Sequence, residues 1–295
     1  MIDDAQGMLS LVGTPIGNLD DVSVRMLDTL RKADVVLCED TRVTSKLLSR
    51  FDIRVSLVRC DENVLPQRVE EVLARVEKGE RVAFVSDAGM PGISDPGQKL
   101  VDAALDRGLP LEVVPGPSAV TCALVASGLP IDHFFFEGFL PRKPGARERR
   151  LRELAAVPGA LVFYESPRRV VATLESLATV FPLRRAALVR ELTKMHEEVV
   201  REKTPTLCEL IRARAEVRGE CVVVVEGPVA GEESSASGPG DLEEQVRAGL
   251  AAGESKSRLA KRLAKEHGLS RSDVYDKILS AEAEREAERN AEQEA

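Results

Sequence analysis

Short apolar runs alternate with amphipathic segments along the first 120 residues of the chain. The runs have the length and composition of buried strands, and they fall at residues 8–12, 34–38, 55–58, 81–85 and 111–114. Between them, apolar residues recur at helical spacing, as in the segment 69–76, which ends before Gly79. This alternation predicts a mostly parallel sheet that is covered by helices on both faces.

A second series of strands and helices begins near residue 130. Its predicted strands fall at 134–139, 161–164, 186–189, 197–202 and 220–225. The predicted fold class is therefore α/β, with two domains and a small helical module after them. The predicted organisation is an α/β domain over 8–120, a second α/β domain over 121–228, a flexible linker over 229–241, a helical module over 242–284 and a frayed, charged tail over 285–295.

The segment 85–97 carries three Gly, two Pro, two Ser and two Asp directly after an apolar run. That composition suits neither a helix nor a strand, so it predicts a shaped loop at the end of a strand. A plain surface connection needs only about three to six residues, whereas long loops in compact domains are usually functional. We therefore expect this loop to form a ligand site rather than a plain surface connection.

Polar or turn-rich loops follow other predicted strands as well, at 13–19, 39–42 and 115–119. The carboxyl ends of parallel strands lie at one edge of a sheet, so these loops are expected to lie together. The second domain adds the loops 164–168 and 190–194. Together they predict a ligand-binding cleft between the two domains.

Several common functional motifs are missing from the sequence. Pro15 stands where a dinucleotide-binding GxGxxG loop needs glycine, and no GxxxxGK[ST] or HExxH motif is present. The three histidines are far apart and the five cysteines form no CxxC pair, so we expect free thiols and no metal site. No apolar run approaches the roughly 18 residues of a membrane span, and no signal-peptide charge pattern is present. We therefore expect a soluble, cytoplasmic protein with no membrane partner.

Basic residues are concentrated in two segments of a chain whose net charge is −8. Residues 141–152 hold six basic side chains against one acidic one, and residues 254–279 hold seven against four. Two basic patches on an acidic protein indicate either a localised contact with a polyanion or solvated helix faces. Both interpretations stay open at this point.

Seven blocks, which occur in order within residues 8–228, carry a resemblance to a known family. They are TPIGNLDD (14–21), CEDTRVTSKLL (38–48), VSDAGMPGISDPG (85–97), VPGPSAV (114–120), FEGFLPRKPGAR (136–147), FYESPRR (163–169) and RELTKMHEE (190–198). The chain resembles the tetrapyrrole methylase superfamily of S-adenosylmethionine-dependent enzymes, and within it the branch that methylates the 2′-oxygen of a cytidine in 16S rRNA. The resemblance implies a two-domain tetrapyrrole-methylase-like fold, a homodimer, S-adenosylmethionine in the interdomain cleft, and 16S rRNA of the small ribosomal subunit as partner.

Carried over position by position, the resemblance implies a set of cofactor contacts: Ile16, Asp87, Ala88, Gly89, Gly92, Ser118, Ala119, Glu165 and Leu192. Several of these residues are Gly or Ala, which allow the backbone to approach a ligand closely. Asp87 is expected to accept a hydrogen bond from the ribose hydroxyls or the ammonium group of the cofactor.

The implied chemistry is an in-line displacement in which a ribose 2′-oxygen attacks the sulfonium methyl group. The protein has to align the two reactants within about 3–3.5 Å and remove a proton from a weakly acidic hydroxyl. Glu39 matches the proton-accepting carboxylate of the superfamily and ends a buried strand, where its pKa can rise. Asp40 is the alternative base, and Lys194 is the candidate for steering the hydroxyl or an RNA phosphate. The stretch 39–42 also suits a helix cap with an ion pair.

The implied RNA contacts lie in the first basic segment: Arg142, Lys143, Arg147, Arg149 and Arg150. The segment 254–277 resembles a small helix-turn-helix-like module, which suits nucleic-acid binding and plain packing or dimerisation equally well. Two other functions stay open. One is a methyltransferase of the same fold that acts on a small-molecule tetrapyrrole or another substrate, and the other is a non-enzymatic RNA-binding protein with a vestigial cleft.

Overall fold

The computed structural model describes residues 7–93, 97–229, 239–267 and 269–293. Its first sheet has five strands: β1 (Met8–Val12), β2 (Val35–Cys38), β3 (Ser56–Arg59), β4 (Arg81–Val85) and β5 (Leu111–Val114). They are all parallel and lie in the order β3-β2-β4-β1-β5. Parallel pairing follows from the chain order, because a helix carries the chain back after each strand.

Helices cover both faces of this sheet, which confirms the prediction from the alternating pattern. They are α1 (Val24–Lys32), α2 (Thr41–Arg50), α3 (Leu65–Glu77) and α4 (Gly97–Asp106). Successive side chains of a strand point to opposite faces, so Leu11 packs with α3 and α4 while Val12 packs with α1 and α2. The central strands are therefore buried on both sides.

The second half of the chain begins with α5 (Ala119–Ser127), so the predicted domain boundary at 120 and 121 falls within the first turn of this helix. The remaining elements are β6 (Phe134–Phe139), α6 (Pro144–Leu154), β7 (Ala160–Glu165), α7 (Val170–Val180), β8 (Arg185–Arg190), β9 (Glu198–Lys203), α8 (Thr204–Arg212) and β10 (Cys221–Val225). One face of the resulting sheet packs on α5 and the other on α6, α7 and α8.

The second sheet is mixed, with strand order β6-β7-β10-β8-β9. The pair β6 and β7 is parallel, and the other three pairs are antiparallel. Since β10 runs opposite to both of its neighbours, its first residue lies beside their last ones. Cys221 pairs with Glu165 of β7 and with Arg190 of β8. The start of β10 is thereby brought to the edge where β7 and β8 end.

Three helices form the C-terminal module: α9 (Pro239–Ala251), α10 (Lys256–His267) and α11 (Arg271–Gln293). They enclose a small apolar core of their own, which includes Val246, Leu259 and Ile278. Among the described helices, none combines the length and the apolar composition that crossing a membrane requires.

Two predictions about the C-terminal region need correction. Most of the predicted linker, residues 230–238, lies outside the described residues, but its last three residues belong to α9. The tail predicted to be frayed is helical as far as Gln293, because α11 continues through it. Ala, Glu and Arg, which make up most of this segment, are strong helix formers.

The loops after β1 and β5 touch each other through their backbones. The Gly13 N–H donates a hydrogen bond to the Val114 carbonyl oxygen at 2.9 Å. A Cβ atom at Gly13 would lie 2.6 Å from the Gly116 nitrogen, and one at Gly116 would lie 2.7 Å from the Gly13 carbonyl carbon. Glycine is needed at both positions because a backbone cannot yield as a flexible side chain can.

We expect Gly116→Ala to lower the free energy of unfolding by about 1–3 kcal/mol, since it forces these two loops apart. Gly145→Ala is the matched control, because no atom lies within 4 Å of a Cβ built at Gly145. Urea denaturation of both variants measures the difference. Equal stability of the two variants would contradict the close approach of the loops.

Candidate active site

A cavity of about 420 Å³ lies between the two sheets, at the edge where their loops meet. The first domain lines it with the loops after β1, β2 and β4 and with the start of α5. The second domain contributes the ends of β6 and β7 and the start of β10. The lining residues are Ile16, Glu39, Ser86, Ala88, Gly89, Met90, Ile93, Ser118, Ala119, Phe139, Tyr164, Glu165, Ser166, Pro167, Glu220, Cys221 and Val222. The volume falls within the range of small-molecule sites.

Backbone hydrogen bonds hold the loop after β4 against the loop after β1. The Thr14 N–H donates to the Gly89 carbonyl oxygen at 2.9 Å, and the Gly89 N–H donates to the Thr14 carbonyl oxygen at 3.1 Å. The Ser86 hydroxyl donates to the Ala88 carbonyl oxygen at 3.2 Å. These bonds fix the main chain of 86–89 along one wall of the cavity.

A contact between the domains closes one side of the cleft. The Asn18 N–H donates to the Thr193 hydroxyl oxygen at 3.0 Å. A Cβ atom at Gly17 would lie 2.6 Å from Cγ of Lys194, so the two loops are in direct contact. Glu191 and Thr193 both have left-handed backbone conformations, with φ of 52° and 63°. Such strained residues are typical of functional loops.

Glu39 and Asp87 form a linked acidic pair at the cavity. Glu39 follows β2 and lines the cavity, and its Oε1 accepts a hydrogen bond from the Asp87 N–H at 3.3 Å. The Asp87 Oδ1 accepts a hydrogen bond from the Asp40 N–H at 3.0 Å. Burial raises the pKa of the Asp87 carboxyl above its usual value. The main chain thus orients both carboxylates at the ends of β2 and β4.

Asp40, the alternative base, has a structural role instead. It is the N-cap of α2, and its carboxylate accepts hydrogen bonds from the Arg42 N–H at 2.8 Å and from the Arg42 guanidinium at 2.6 Å. Hydrogen bonds from Arg42 hold the pKa of Asp40 well below its usual range. A carboxylate of such low basicity is a poor proton acceptor at neutral pH, and Asp40 is not among the lining residues. These contacts favour Glu39 over Asp40, and the choice of the base stays a prediction.

Lys194 lies at the margin of the site with two acidic partners. Its ammonium group donates to Glu191 Oε1 at 2.8 Å and to Glu220 Oε2 at 3.0 Å. Partial burial disfavours the charge, but the hydrogen bonds to these two carboxylates outweigh it and raise the pKa of Lys194. Glu220 lines the cavity while Lys194 itself does not, so its predicted steering role remains a prediction.

The structure brings most of the predicted cofactor positions together. Six of them line the cavity: Ile16, Ala88, Gly89, Ser118, Ala119 and Glu165. Asp87 and Gly92 belong to the same loop without lining the cavity, and Leu192 packs against the core beneath α5. Glu165 is buried, and its two oxygens accept hydrogen bonds from the Ser166 N–H and the Thr173 hydroxyl. These contacts fix the end of β7.

Sequence reasoning missed part of the lining. Phe139 and Tyr164 stand inside two of the recognised blocks, so their proximity to the site had a signal in the sequence. The segment 220–222 had none, because it begins an antiparallel strand and reaches the site through the sheet order. Within the described ranges, no group of three or more His, Cys, Asp or Glu side chains is arranged to hold a metal ion.

The basic segment divides into exposed and structural residues. Arg142, Lys143 and Arg149 are exposed. Arg147 is buried, and its guanidinium donates to the Ser176 hydroxyl and to the Ala172 carbonyl oxygen, both at 2.9 Å. The prediction that Arg147 contacts RNA is therefore wrong, because its side chain joins α6 to α7. Arg150 is half-buried and forms ion pairs with two glutamates.

Residues 8–208 match the family model of the Tetrapyrrole (Corrin/Porphyrin) Methylases. The chain is similar to proteins named ribosomal RNA small subunit methyltransferase I. It is 43% identical to the one from Mesorhizobium japonicum, over 92% of this chain and 91% of that one. It is 44% identical to the one from Mycobacterium bovis, over 95% and 97%.

Solved structures share the fold of this chain. One is uroporphyrin-III C-methyltransferase from Thermus thermophilus, in a complex with S-adenyl homocysteine. Its TM-score is 0.53 at 22% identity, over 75% of this chain and 97% of that one. At this level of identity the likeness shows the fold alone.

Two of the four arginines of α6, Arg147 and Arg149, test the division of the basic segment into buried and exposed residues. We expect Arg147→Met to lower the free energy of unfolding by about 1–3 kcal/mol, because it leaves the buried partners of the guanidinium unsatisfied. Arg149→Gln is exposed and should stay within about 0.5 kcal/mol of the parent protein. Chemical denaturation measures both, and a fully stable Arg147→Met protein would contradict the buried network.

Proposed function

We propose a specific reaction for this chain, which belongs to the tetrapyrrole methylase family and, within it, to the ribosomal RNA small subunit methyltransferase I family. The chain is an S-adenosylmethionine-dependent methyltransferase that acts on rRNA of the small subunit. Our proposal concerns the acceptor atom: the 2′-oxygen of a cytidine ribose in 16S rRNA. The observation that carries it is the placement of the Glu39 carboxylate on the cavity wall.

The cavity fits the cofactor in size and in the chemistry of its walls. The main chain of 86–89 and the start of α5 at Ser118 and Ala119 offer backbone groups to a ligand at close range. Ile16 and Met90 supply apolar contacts. When bound, S-adenosylmethionine supplies a methyl group on a sulfonium that is already a good leaving group. The remaining tasks of the protein are to position the acceptor and to accept its proton.

Glu39 is the proposed general base. Its carboxylate would accept the proton of the ribose hydroxyl, and a positioned base typically contributes about 10²–10⁴-fold to a rate. The hydrogen bond from the Asp87 N–H holds Oε1 in place at 3.3 Å. Asp40 stabilises this arrangement in two ways. It caps α2, and its N–H donates a hydrogen bond to Asp87.

RNA is proposed to approach over the exposed basic residues at the start of α6. Arg142, Lys143 and Arg149 are exposed, whereas Arg147 is engaged in a buried network, so these three side chains suit phosphate contacts. Such contacts position the RNA and make binding sensitive to salt. The C-terminal module also exposes basic residues, such as Arg258 and Lys261, and it remains either a second RNA contact or a packing unit.

The proposed function is tested by methyl transfer from labelled S-adenosylmethionine to small ribosomal subunits that lack their native methylations. Label in 2′-O-methylcytidine after digestion supports the proposal. Label in a base-methylated nucleoside would overturn the choice of acceptor. Cofactor binding without any label in RNA would indicate a small-molecule acceptor instead.

In the same assay, we expect Glu39→Gln to reduce kcat by about 10²–10⁴-fold while the affinity for S-adenosylmethionine stays near normal. Asp40→Asn is the matched control, because asparagine also caps helices and the proposed base is left intact. If Asp40→Asn abolished transfer and Glu39→Gln did not, the assignment of the base would be wrong.

We also propose that the protein is a homodimer that works in the cytoplasm. The helix α5 is mostly apolar, which is typical of buried helices, yet Val125 on its outer face is 74% exposed. A second copy of the chain would cover this face. The five cysteines are all unpaired, which suits a reducing compartment.

The dimer proposal has a direct test in solution. We expect Val125→Glu to shift the protein from dimer to monomer in sedimentation velocity at micromolar concentration, because a carboxylate is disfavoured in an apolar interface. Val24→Glu is the control, since Val24 is similarly exposed at the start of α1. A parent protein that sediments as a monomer would overturn the proposal.

A further inference from the structure

Aromatic side chains are scarce in this chain, which has eight Phe, two Tyr and no Trp. In the described part of the chain, the contacts between aromatic rings gather at one place. The Tyr164 ring meets Phe136 with ring centres 4.9 Å apart, and it meets Phe139 at 5.8 Å, both edge to face. Tyr164 and Phe139 line the cavity. The aromatic cluster of Phe136, Phe139 and Tyr164 therefore stands at the site.

A β-bulge in β6 turns Phe139 toward this cluster. Phe136 pairs with Val162, but Gly138 pairs with Phe163 and Phe139 with Tyr164, so Glu137 is an extra residue. Side chains three positions apart in a regular strand point to opposite faces. The extra residue puts Phe139 on the same face as Phe136. Bulges commonly redirect a side chain in this way beside active sites.

Two features hold the bulge in place. Gly138 has φ of 77°, a left-handed conformation that an ordinary side chain would strain. The extra residue, Glu137, accepts two hydrogen bonds from the Arg150 guanidinium of α6, at 2.6 and 2.8 Å. Arg150 also pairs with Glu153. The ion pair anchors the bulge to α6, so the direction of Phe139 is fixed by a charged contact.

Phe139 remains open to solvent despite its contacts. Its side chain is 57% exposed, whereas Tyr164 behind it is half-buried. The exposed cations Arg142 and Lys143 follow it within four residues. An exposed aromatic ring next to positive charges is the combination with which proteins bind unstacked nucleotides.

We propose that Phe139 is the stacking surface for the base of the nucleotide that is methylated. This inference rests on the proposed function. A ribose cannot enter the cleft while its base stays stacked among its neighbours, so the base has to leave the stack and needs a new partner. The ring of Phe139 offers that partner at the mouth of the cavity, and the nearby cations hold the flanking phosphates.

The test compares Phe139→Ala with Phe139→Trp and Phe139→Leu on small ribosomal subunits. Since stacking on one aromatic ring is worth about 1–3 kcal/mol, the Ala variant should lose roughly 10- to 100-fold in kcat/KM. Phe139→Trp should retain most of the activity, and the activity of Phe139→Leu should fall close to that of Phe139→Ala. Phe134→Ala is the matched control, because Phe134 is 50% exposed at the other end of β6 and does not line the cavity.

Two further measurements distinguish stacking of Phe139 on the target base from packing of its ring on the cofactor. Calorimetry should give the same Kd for S-adenosylmethionine with the parent protein and with the Phe139→Ala variant. A higher Kd for the variant would mean that the ring packs on the cofactor instead. Subunits reconstituted with RNA that lacks only the target base should abolish the difference between the parent protein and Phe139→Ala. A persisting difference, or a fully active Leu variant, would overturn the proposal. A parent protein that transfers no methyl group to subunits would overturn the proposed function itself.

Discussion

The hydrogen bonds between Thr14 and Gly89 are the contact on which the site depends. They join the loops after β1 and β4, two neighbouring strands, so that the two loops are held together. The backbone contact between Gly13 and Gly116 adds the loop after β5 to the same unit. Three strand ends are thereby held as a single rigid wall, which is what a preorganised small-molecule site needs.

The adjacent residues Glu39 and Asp40 have different roles because α2 begins directly after Asp40. Asp40 caps α2 and forms an ion pair with Arg42, so its carboxylate is engaged in a structural contact. Glu39, one residue earlier, directly follows the end of β2 and lines the cavity. The backbone N–H of Asp40 in turn fixes Asp87. The start of α2 therefore orients the acidic pair without taking part in the proposed chemistry.

Charge in the segment 141–152 does more than create a basic surface. Arg147 ties α6 to α7, and Arg150 ties α6 to the bulge in β6, so two of its cations position other groups. Arg142, Lys143 and Arg149 are left for a polyanion. The same helix thus presents exposed cations and directs Phe139, which links the proposed RNA contact to the proposed base contact.

The class of fold, the strands of the first sheet and most of the cavity wall could be predicted from the sequence, because periodicity and turn-rich loops are local properties. The sequence did not determine which charged side chains are buried. Arg147 and Arg149 cannot be told apart in the sequence, and Arg147 is buried because α6 packs on α7. The sequence also did not place the segment 220–222, because an antiparallel strand order brings that segment to the site. Side-chain burial and strand order depend on contacts between distant parts of the chain, so they are visible only in the folded protein.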